Sequence, residues 1–280
     1  MSIKLITDNS CDLSKELLDR YNIKSIGLTV SIDGKHHNDL ELKHEDFYAK
    51  MKASKDLPKT ACPSPDGFAK EYLCDEDNII VFTLTSKLSG TYSAALLGRD
   101  IFLEENNKKV AIIDTECGTV GHGLLVLKTA ELIEKGELSF EEILNEIEKM
   151  KLNLTVYGTL DTLDNAIKGG RISPVKGKIA NALNLKGLVV VDEGIVKPIG
   201  TARGEMNSLN KVVDSIVNAA NNIGGTDLVV NIGHANAPKK AEKVKELISS
   251  KLNCRDIIIS SIGPAMGTYT AEGAIIVGVL

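Results

Sequence analysis

Five segments of this 280-residue chain carry residues that could hold an anion or a polar headgroup. The first is Thr83-Leu-Thr-Ser-Lys-Leu-Ser-Gly-Thr-Tyr-Ser93, which leaves a strand-like run and opens a helical one. Amide groups at a helix start lack partners within the helix and attract negative charge. Ser89 and Thr91 add hydroxyls there, and Gly90 lets a ligand come close to the backbone. An ordinary helix cap by Ser89 or Thr91 explains the same residues with no ligand at all. In Thr60-Ala-Cys-Pro-Ser64, Ser64 and the following Pro65 make a helix start, so a structural account suffices unless Thr60 faces a pocket.

The segment Ile167-Lys-Gly-Gly-Arg-Ile-Ser-Pro174 places Arg171 after two glycines that free the backbone for a tight or left-handed turn. The planar guanidinium fork suits carboxylate and phosphate because it donates two parallel hydrogen bonds, although a solvated loop arginine is the plain alternative. Thr201-Ala-Arg203-Gly204 offers a second, weaker loop arginine. Ser261-Ile-Gly-Pro-Ala-Met-Gly-Thr-Tyr-Thr270 reads as a loop between two strands, with hydroxyls set among turn-forming residues.

Other chemistry lacks its equipment. No G-x-x-x-x-G-K-[ST] run is present for ATP, and Gly118, Gly121 and Gly123 have the spacing G-x-x-G-x-G, not the dinucleotide fingerprint. Those glycines read as a tight turn and close helix packing. The five histidines, His36, His37, His44, His122 and His234, show no metal-ligand spacing and read as surface or capping residues. No nucleophile elbow occurs in a strand–turn–helix setting. The sequence therefore implies no cofactor, no metal and no independent catalytic centre.

The elements that would position these segments alternate between short aliphatic strands and helical patterns, which predicts an α/β fold with mostly parallel sheets flanked by helices. Strands are expected over 3–7, 26–32, 79–84, 110–114, 154–158, 188–191, 195–199, 228–232, 257–260 and 274–280. Asp192-Glu193-Gly194 is read as the turn of an antiparallel hairpin. The clearest helix starts at the capping box Ser139-x-x-Glu142, with Phe140, Ile143, Leu144, Ile147 and Met150 on one face. Further helices are expected over 14–21, 45–52, from Pro65, and over 91–104, 124–134, 206–221 and 239–251. The junction after Met150 is the best domain boundary, giving an N-terminal α/β domain over 1–152 and a C-terminal one over 153–280.

A hydrophobic content of 43% with 25% charged residues is the balance of a globular protein with a sizeable core. The absence of Trp leaves that core to aliphatic side chains, which would equally suit an apolar ligand. A net charge of −5 disfavours nucleic acid, whose binding rests on Lys and Arg set against phosphates. Neither a signal peptide nor a membrane-spanning run is evident, and five scattered cysteines suit reduced thiols, so a cytoplasmic location is expected.

Five pieces, in order along nearly the whole chain, resemble the DegV family of bacterial fatty-acid-binding proteins. They are Ile6-Thr-Asp-Asn-Ser-Cys-Asp-Leu13, Thr60-Ala-Cys-Pro-Ser64, Thr85-Ser-Lys-Leu-Ser-Gly-Thr-Tyr92, Gly169-Gly-Arg-Ile-Ser173 and Ile262-Gly-Pro264. The resemblance implies two α/β domains around a long-chain fatty acid such as palmitate or stearate, with its carboxylate on Thr60 and Ser89. It further implies that the acid is presented to a separate ATP-binding kinase subunit, which forms an acyl phosphate. Arg171 and Arg203 would then lie on the phosphoryl side or face the partner. Two positions depart from the pattern: Cys62 stands where glutamine is common, and Tyr269 where the late segment would carry histidine. A stand-alone enzyme acting on a small phosphorylated or carbonyl substrate is the alternative expectation, and a regulatory module read by a partner in its lipid-loaded state is a weaker third.

Overall fold

The computed structural model describes residues 2–173, 184–224 and 227–280. The chain begins with β1 (Ile3–Asp8), a single 3₁₀ turn (Asn9–Cys11), α1 (Lys15–Arg20), β2 (Lys24–Ile26), β3 (Thr29–Ile32) and β4 (Lys35–Asn38). It continues through α2 (His44–Ala53), β5 (Lys59–Ala61), α3 (Pro65–Glu71), β6 (Asn78–Thr83), α4 (Thr91–Leu103) and β7 (Lys109–Asp114). Next come α5 (Thr119–Lys135), α6 (Phe140–Asn153), β8 (Thr155–Leu160), α7 (Asp164–Lys168), β9 (Leu185–Asp192) and β10 (Ile195–Arg203). The described chain closes with α8 (Glu205–Ile223), β11 (Val229–His234), α9 (Pro238–Ser249), β12 (Asp256–Ser261), α10 (Pro264–Thr270) and β13 (Ile275–Val279).

Three sheets result, in the orders β2-β1-β6-β7, β4-β3-β5 and β10-β9-β8-β13-β11-β12. The first two use only strands that precede α6, and the third only strands that follow it. The four-stranded sheet is parallel throughout, as expected from strand–helix alternation. The six-stranded sheet departs from the expectation of mostly parallel pairing. Only β11 and β12 run parallel, and every other pair is antiparallel. The physical reason lies in where strands insert. β9 and β10 form a tight hairpin, and the last strand, β13, enters between β8 and β11 running against both. Alternation along a sequence does not encode such an insertion.

Helix α5 is the centre of the molecule, packed on β13 and β11 of one sheet and on β1 and β6 of the other. A helix between two sheets has no solvated side, and residues 119–127, Thr-Val-Gly-His-Gly-Leu-Leu-Val-Leu, are accordingly all buried and uncharged. The glycines expected to mark close packing do so inside this helix. A Cβ on Gly123 would lie 2.6 Å from the carbonyl oxygen of Cys11. The helix therefore begins at Thr119, five residues before the expected start, because the glycines belong to it.

Other differences have similarly local causes. The expected strand over 26–32 is split between β2 and β3, which join different sheets. Leu28, at the break, donates its N–H to Asp39 Oδ1 at 2.8 Å and accepts from the Asp39 amide at 2.9 Å. β4 and β5, Lys-His-His-Asn and Lys-Thr-Ala, are too short and too polar to show an apolar period. The Ser139–Glu142 capping box is present in full, and the Asp192–Gly194 hairpin forms through positive φ at Glu193 (50°) and Gly194 (78°).

A Gly123→Val substitution is expected to destabilise the fold by about 1–3 kcal/mol, because the new side chain meets backbone and not a movable side chain. Urea unfolding should show the midpoint falling with little change in slope.

Candidate functional site

A cavity of about 930 Å3, counting its open mouth, lies beyond the N-terminus of α5. Its wall is largely aliphatic: Leu28 from the break between β2 and β3, Leu84 and Leu88 from the loop after β6, Val156 and Leu160 from β8, Val189, Val191 and Val196 from the β9–β10 hairpin, and Ile276 from β13. Thr60, Thr85, Ser89, Arg171, Tyr269 and Thr270 are its main polar side chains.

Each polar residue arrives by a traceable route. Thr60 sits in β5, opposite Val30 of β3, immediately before the turn in which Ser64 caps α3 by accepting from the Gly67 amide at 3.1 Å. The cap and the cavity position coexist in one segment. Ser89 precedes Gly90, which is the N-cap residue of α4 and has no side-chain cap bond. The Ser89 hydroxyl is 2.8 Å from that of Thr91 and accepts from the Thr91 amide at 3.3 Å. The Thr60 and Ser89 segments lie side by side, since a methyl group added at Gly90 would stand 3.6 Å from Cys62 Sγ.

The segment 261–270, expected as a loop, is instead largely the helix α10, with Pro264 in its first turn. Proline is compatible with that position because its missing N–H would have no helical partner there. The helix carries Tyr269 into the cavity, where its hydroxyl lies 2.7 Å from Thr60 Oγ1. Arg171 follows the left-handed Gly170 and is half-buried, not solvated at a loop tip. It donates to the Gly169 carbonyl at 2.6 Å and its guanidinium stacks 4.4 Å from the centre of the Tyr269 ring. Pro174, at the end of that sequence segment, lies outside the described residues. Arg203 ends β10 with an exposed side chain and is not among the residues lining the cavity. The structure thus brings Thr60, Ser89, Arg171 and Tyr269 to one chamber and leaves Arg203 outside it.

Several contributors were not singled out from sequence. Thr85 donates to the Gly194 carbonyl at 3.1 Å, fastening the hairpin tip to the loop that carries Ser89. Asp8 is fully buried. It accepts from the Leu84 amide at 2.7 Å and the Ser10 amide at 2.9 Å, and also takes the Ser10 hydroxyl. His122, expected at the surface or in a cap, is wholly buried, with its ring nitrogens 2.8 Å from Thr7 Oγ1 and 3.3 Å from Ser10 Oγ. Burial lowers its pKa and keeps it neutral. His44 is also half-buried, with Nδ1 at 2.8 Å from Ser261 Oγ. The period of α5 hides His122 among apolar neighbours, so only the T-D-x-S motif opposite it could have signalled its partner.

Cys117 lines the cavity, and burial pushes its thiol up to about 12, so it stays protonated and is no nucleophile. No group of three or more metal-ligating side chains occurs among the described residues, nor does a helix long and apolar enough to cross a membrane. The chemistry on offer is retention of an apolar molecule with one anionic or hydrogen-bonding end.

These features define an α/β protein with an apolar chamber and a polar gate. A family model described as an uncharacterised protein of the DegV family matches residues 2–280. The chain belongs to the DegV family. A DegV domain-containing protein of Caldanaerobacter subterraneus subsp. tengcongensis is 30% identical, over 97% of this chain and 96% of that protein. A DegV family protein of Ruminococcus gnavus, solved with vaccenic acid, superposes with a TM-score of 0.93 at 28% identity, covering 99% of both chains. The fatty acid kinase (Fak) B3 protein of Streptococcus pneumoniae, loaded with linoleic acid, gives a TM-score of 0.87 at 28% identity over 99% of both chains.

Asp39, beside the cavity wall at Leu28, makes stability depend on pH. Burial pushes its carboxyl up to about 6, and its Oδ2 has no hydrogen-bond partner. A folded-state pKa above the unfolded value means that stability is fully present at low pH and is lost as pH rises from about 4 to about 6. The loss attributable to this group is about 3 kcal/mol. Asp39→Asn keeps an oxygen for the Leu28 amide and removes the charge, so unfolding free energies between pH 4 and 6 should decline less steeply than in wild type.

Proposed function

We propose that this chain binds a long-chain fatty acid, with its carboxylate at Thr60 and Ser89 and its acyl chain in the aliphatic chamber. The observation that carries this reading is the chamber itself: a mostly apolar cavity whose lining includes Thr60, Ser89, Arg171 and Tyr269. The likeness to proteins solved with vaccenic and linoleic acids supports the choice of ligand class. Burying about 16 carbons at ~0.8 kcal/mol per methylene gives roughly 12 kcal/mol gross. Ordering and association remove several kcal/mol of it, leaving affinity on the order of micromolar or tighter. The apolar tail sets affinity, and the hydroxyls set orientation.

The protein acts as a carrier and not as a complete catalyst. A separate ATP-binding subunit phosphorylates the presented carboxylate, a role supported by the likeness to the B3 protein of a fatty acid kinase. The carboxylate is already ionised near neutral pH, so its attack on the terminal phosphorus needs alignment and charge stabilisation more than a base. The stacking of Arg171 over Tyr269 at the chamber supports Arg171 as a cation for that purpose. Arg203, exposed at the end of β10, would serve on the partner-facing side. Five free cysteines support a reducing, cytoplasmic setting.

Organic extraction and mass spectrometry of the purified protein should release a C16–C18 acid. Thr60→Val combined with Ser89→Ala should weaken binding of such an acid by about 10–100-fold, as expected for losing hydrogen bonds to a charged group. The same variant should bind the corresponding long-chain alcohol nearly as wild type does, with an unchanged melting curve. A folded, empty protein that takes up no long-chain acid would defeat the proposal.

A second prediction separates carrier from enzyme. The chain alone should leave ATP and acid unchanged, and acyl phosphate should form only when an ATP-binding kinase subunit is added. Turnover of a phosphate ester or carbonyl compound by the isolated chain would favour the stand-alone enzyme.

A further inference from the structure

We propose that Asp12 is a positioning residue for the acid-binding site, holding the peptide group from which α10 springs and thereby aiming Tyr269. The proposal deepens the fatty-acid reading and, for its effect on affinity, rests on it. Asp12 belongs to the Ile6–Leu13 motif, which contributes no side chain to the cavity wall. It is buried and takes a left-handed backbone conformation, with φ of 51°. Its Oδ1 accepts the Gly263 N–H at 2.8 Å.

The opposite side of the same peptide group is also held. The carbonyl of Ile262 accepts the Tyr48 hydroxyl at 3.0 Å, so one peptide plane is fixed through both its oxygen and its N–H. Gly263 is the N-cap residue of α10, which has no side-chain cap of its own. A Cβ at Gly263 would stand 3.1 Å from Asp12 Oδ1 and 3.5 Å from His44 Nε2, so any larger residue here would crowd the carboxyl that holds this amide. Six residues onward, Tyr269 meets Thr60 and carries Arg171 on its ring. With only two turns between the clamp and the tyrosine, a tilt at Gly263 is carried directly to the Tyr269 hydroxyl. Burial raises the carboxyl pKa of Asp12, and its Oδ2 has no partner. A solvated turn would hold this amide without that penalty, which is consistent with a residue retained for geometry.

The test compares Asp12→Ala, which removes the acceptor, with Asp12→Asn, which keeps a carbonyl oxygen for Gly263. Palmitate affinity of the delipidated protein should fall about 10-fold in Asp12→Ala and recover to within ~3-fold of wild type in Asp12→Asn, the range of one hydrogen bond. Tyr269→Phe should weaken wild type but add little to Asp12→Ala, because the tyrosine is already misplaced. Should Asp12→Ala fail to fold, Tyr48→Phe, which frees the other side of the peptide, takes its place in the same comparison. Amide exchange at Gly267 and Ala271, whose N–H groups close the turns of α10, gives a readout without ligand. Exchange should quicken in Asp12→Ala and not in Asp12→Asn. Equal exchange and fully additive Tyr269 effects would overturn the assignment. A wild type that binds no acid would defeat the fatty-acid reading alone, leaving the positioning role to the exchange result.

Discussion

The structure depends on one constraint: a helix enclosed between two sheets must be apolar on all sides. Helix α5 meets that constraint with an uncharged, buried first half, and Lys128 is its first ionisable residue after His122. Both sheets take their position from it. The chamber lies beyond its N-terminus, where the segment Cys117–Thr119 forms part of the wall. The polar groups that close the chamber come from several elements: Thr60 from β5, Thr85 and Ser89 from the loop after β6, Arg171 from the segment after α7, and Tyr269 from α10.

The elements with strong periods or strong caps were legible in sequence. The capped helix α6, the hairpin at Glu193–Gly194 and the parallel strands β1, β6 and β7 follow from local chemistry that outweighs context. What was hidden depends on partners far along the chain. α10 looks like a turn because Gly263, Pro264 and Gly267 dominate its composition. It is a helix because Asp12, Tyr48 and the surrounding core hold its start. His122 reads as one polar residue among glycines until Thr7 and Ser10, more than a hundred positions earlier, are seen against it. The antiparallel order of the large sheet depends on where β13 inserts, a choice made by tertiary packing.

The site shows the same division. Local chemistry alone read the Thr60 and Ser89 segments as helix caps and left Arg171 open between an anion site and a solvated loop; the family resemblance singled out all three, and all three line the chamber. Arg203, read from sequence as a loop arginine, instead ends strand β10 with an exposed side chain outside the chamber. Tyr269 stands where the family resemblance leads one to expect histidine. A phenol keeps a hydrogen-bonding group at the gate but supplies no positive charge near neutral pH. The cation in contact with it is Arg171, stacked on the ring.

The contact between the β9–β10 hairpin and the loop after β6 has a mechanical meaning. Thr85 and the Gly194 carbonyl are joined by a single hydrogen bond, and the valines behind that tip form the chamber wall. The seam between the large sheet and the rest of the protein therefore passes through the ligand chamber. A guest in that seam would touch both sides, so its occupancy would add to their cohesion and shift the unfolding equilibrium by mass action. Filled and empty molecules would then differ in resilience as well as in cargo, and heating would sort one population from the other.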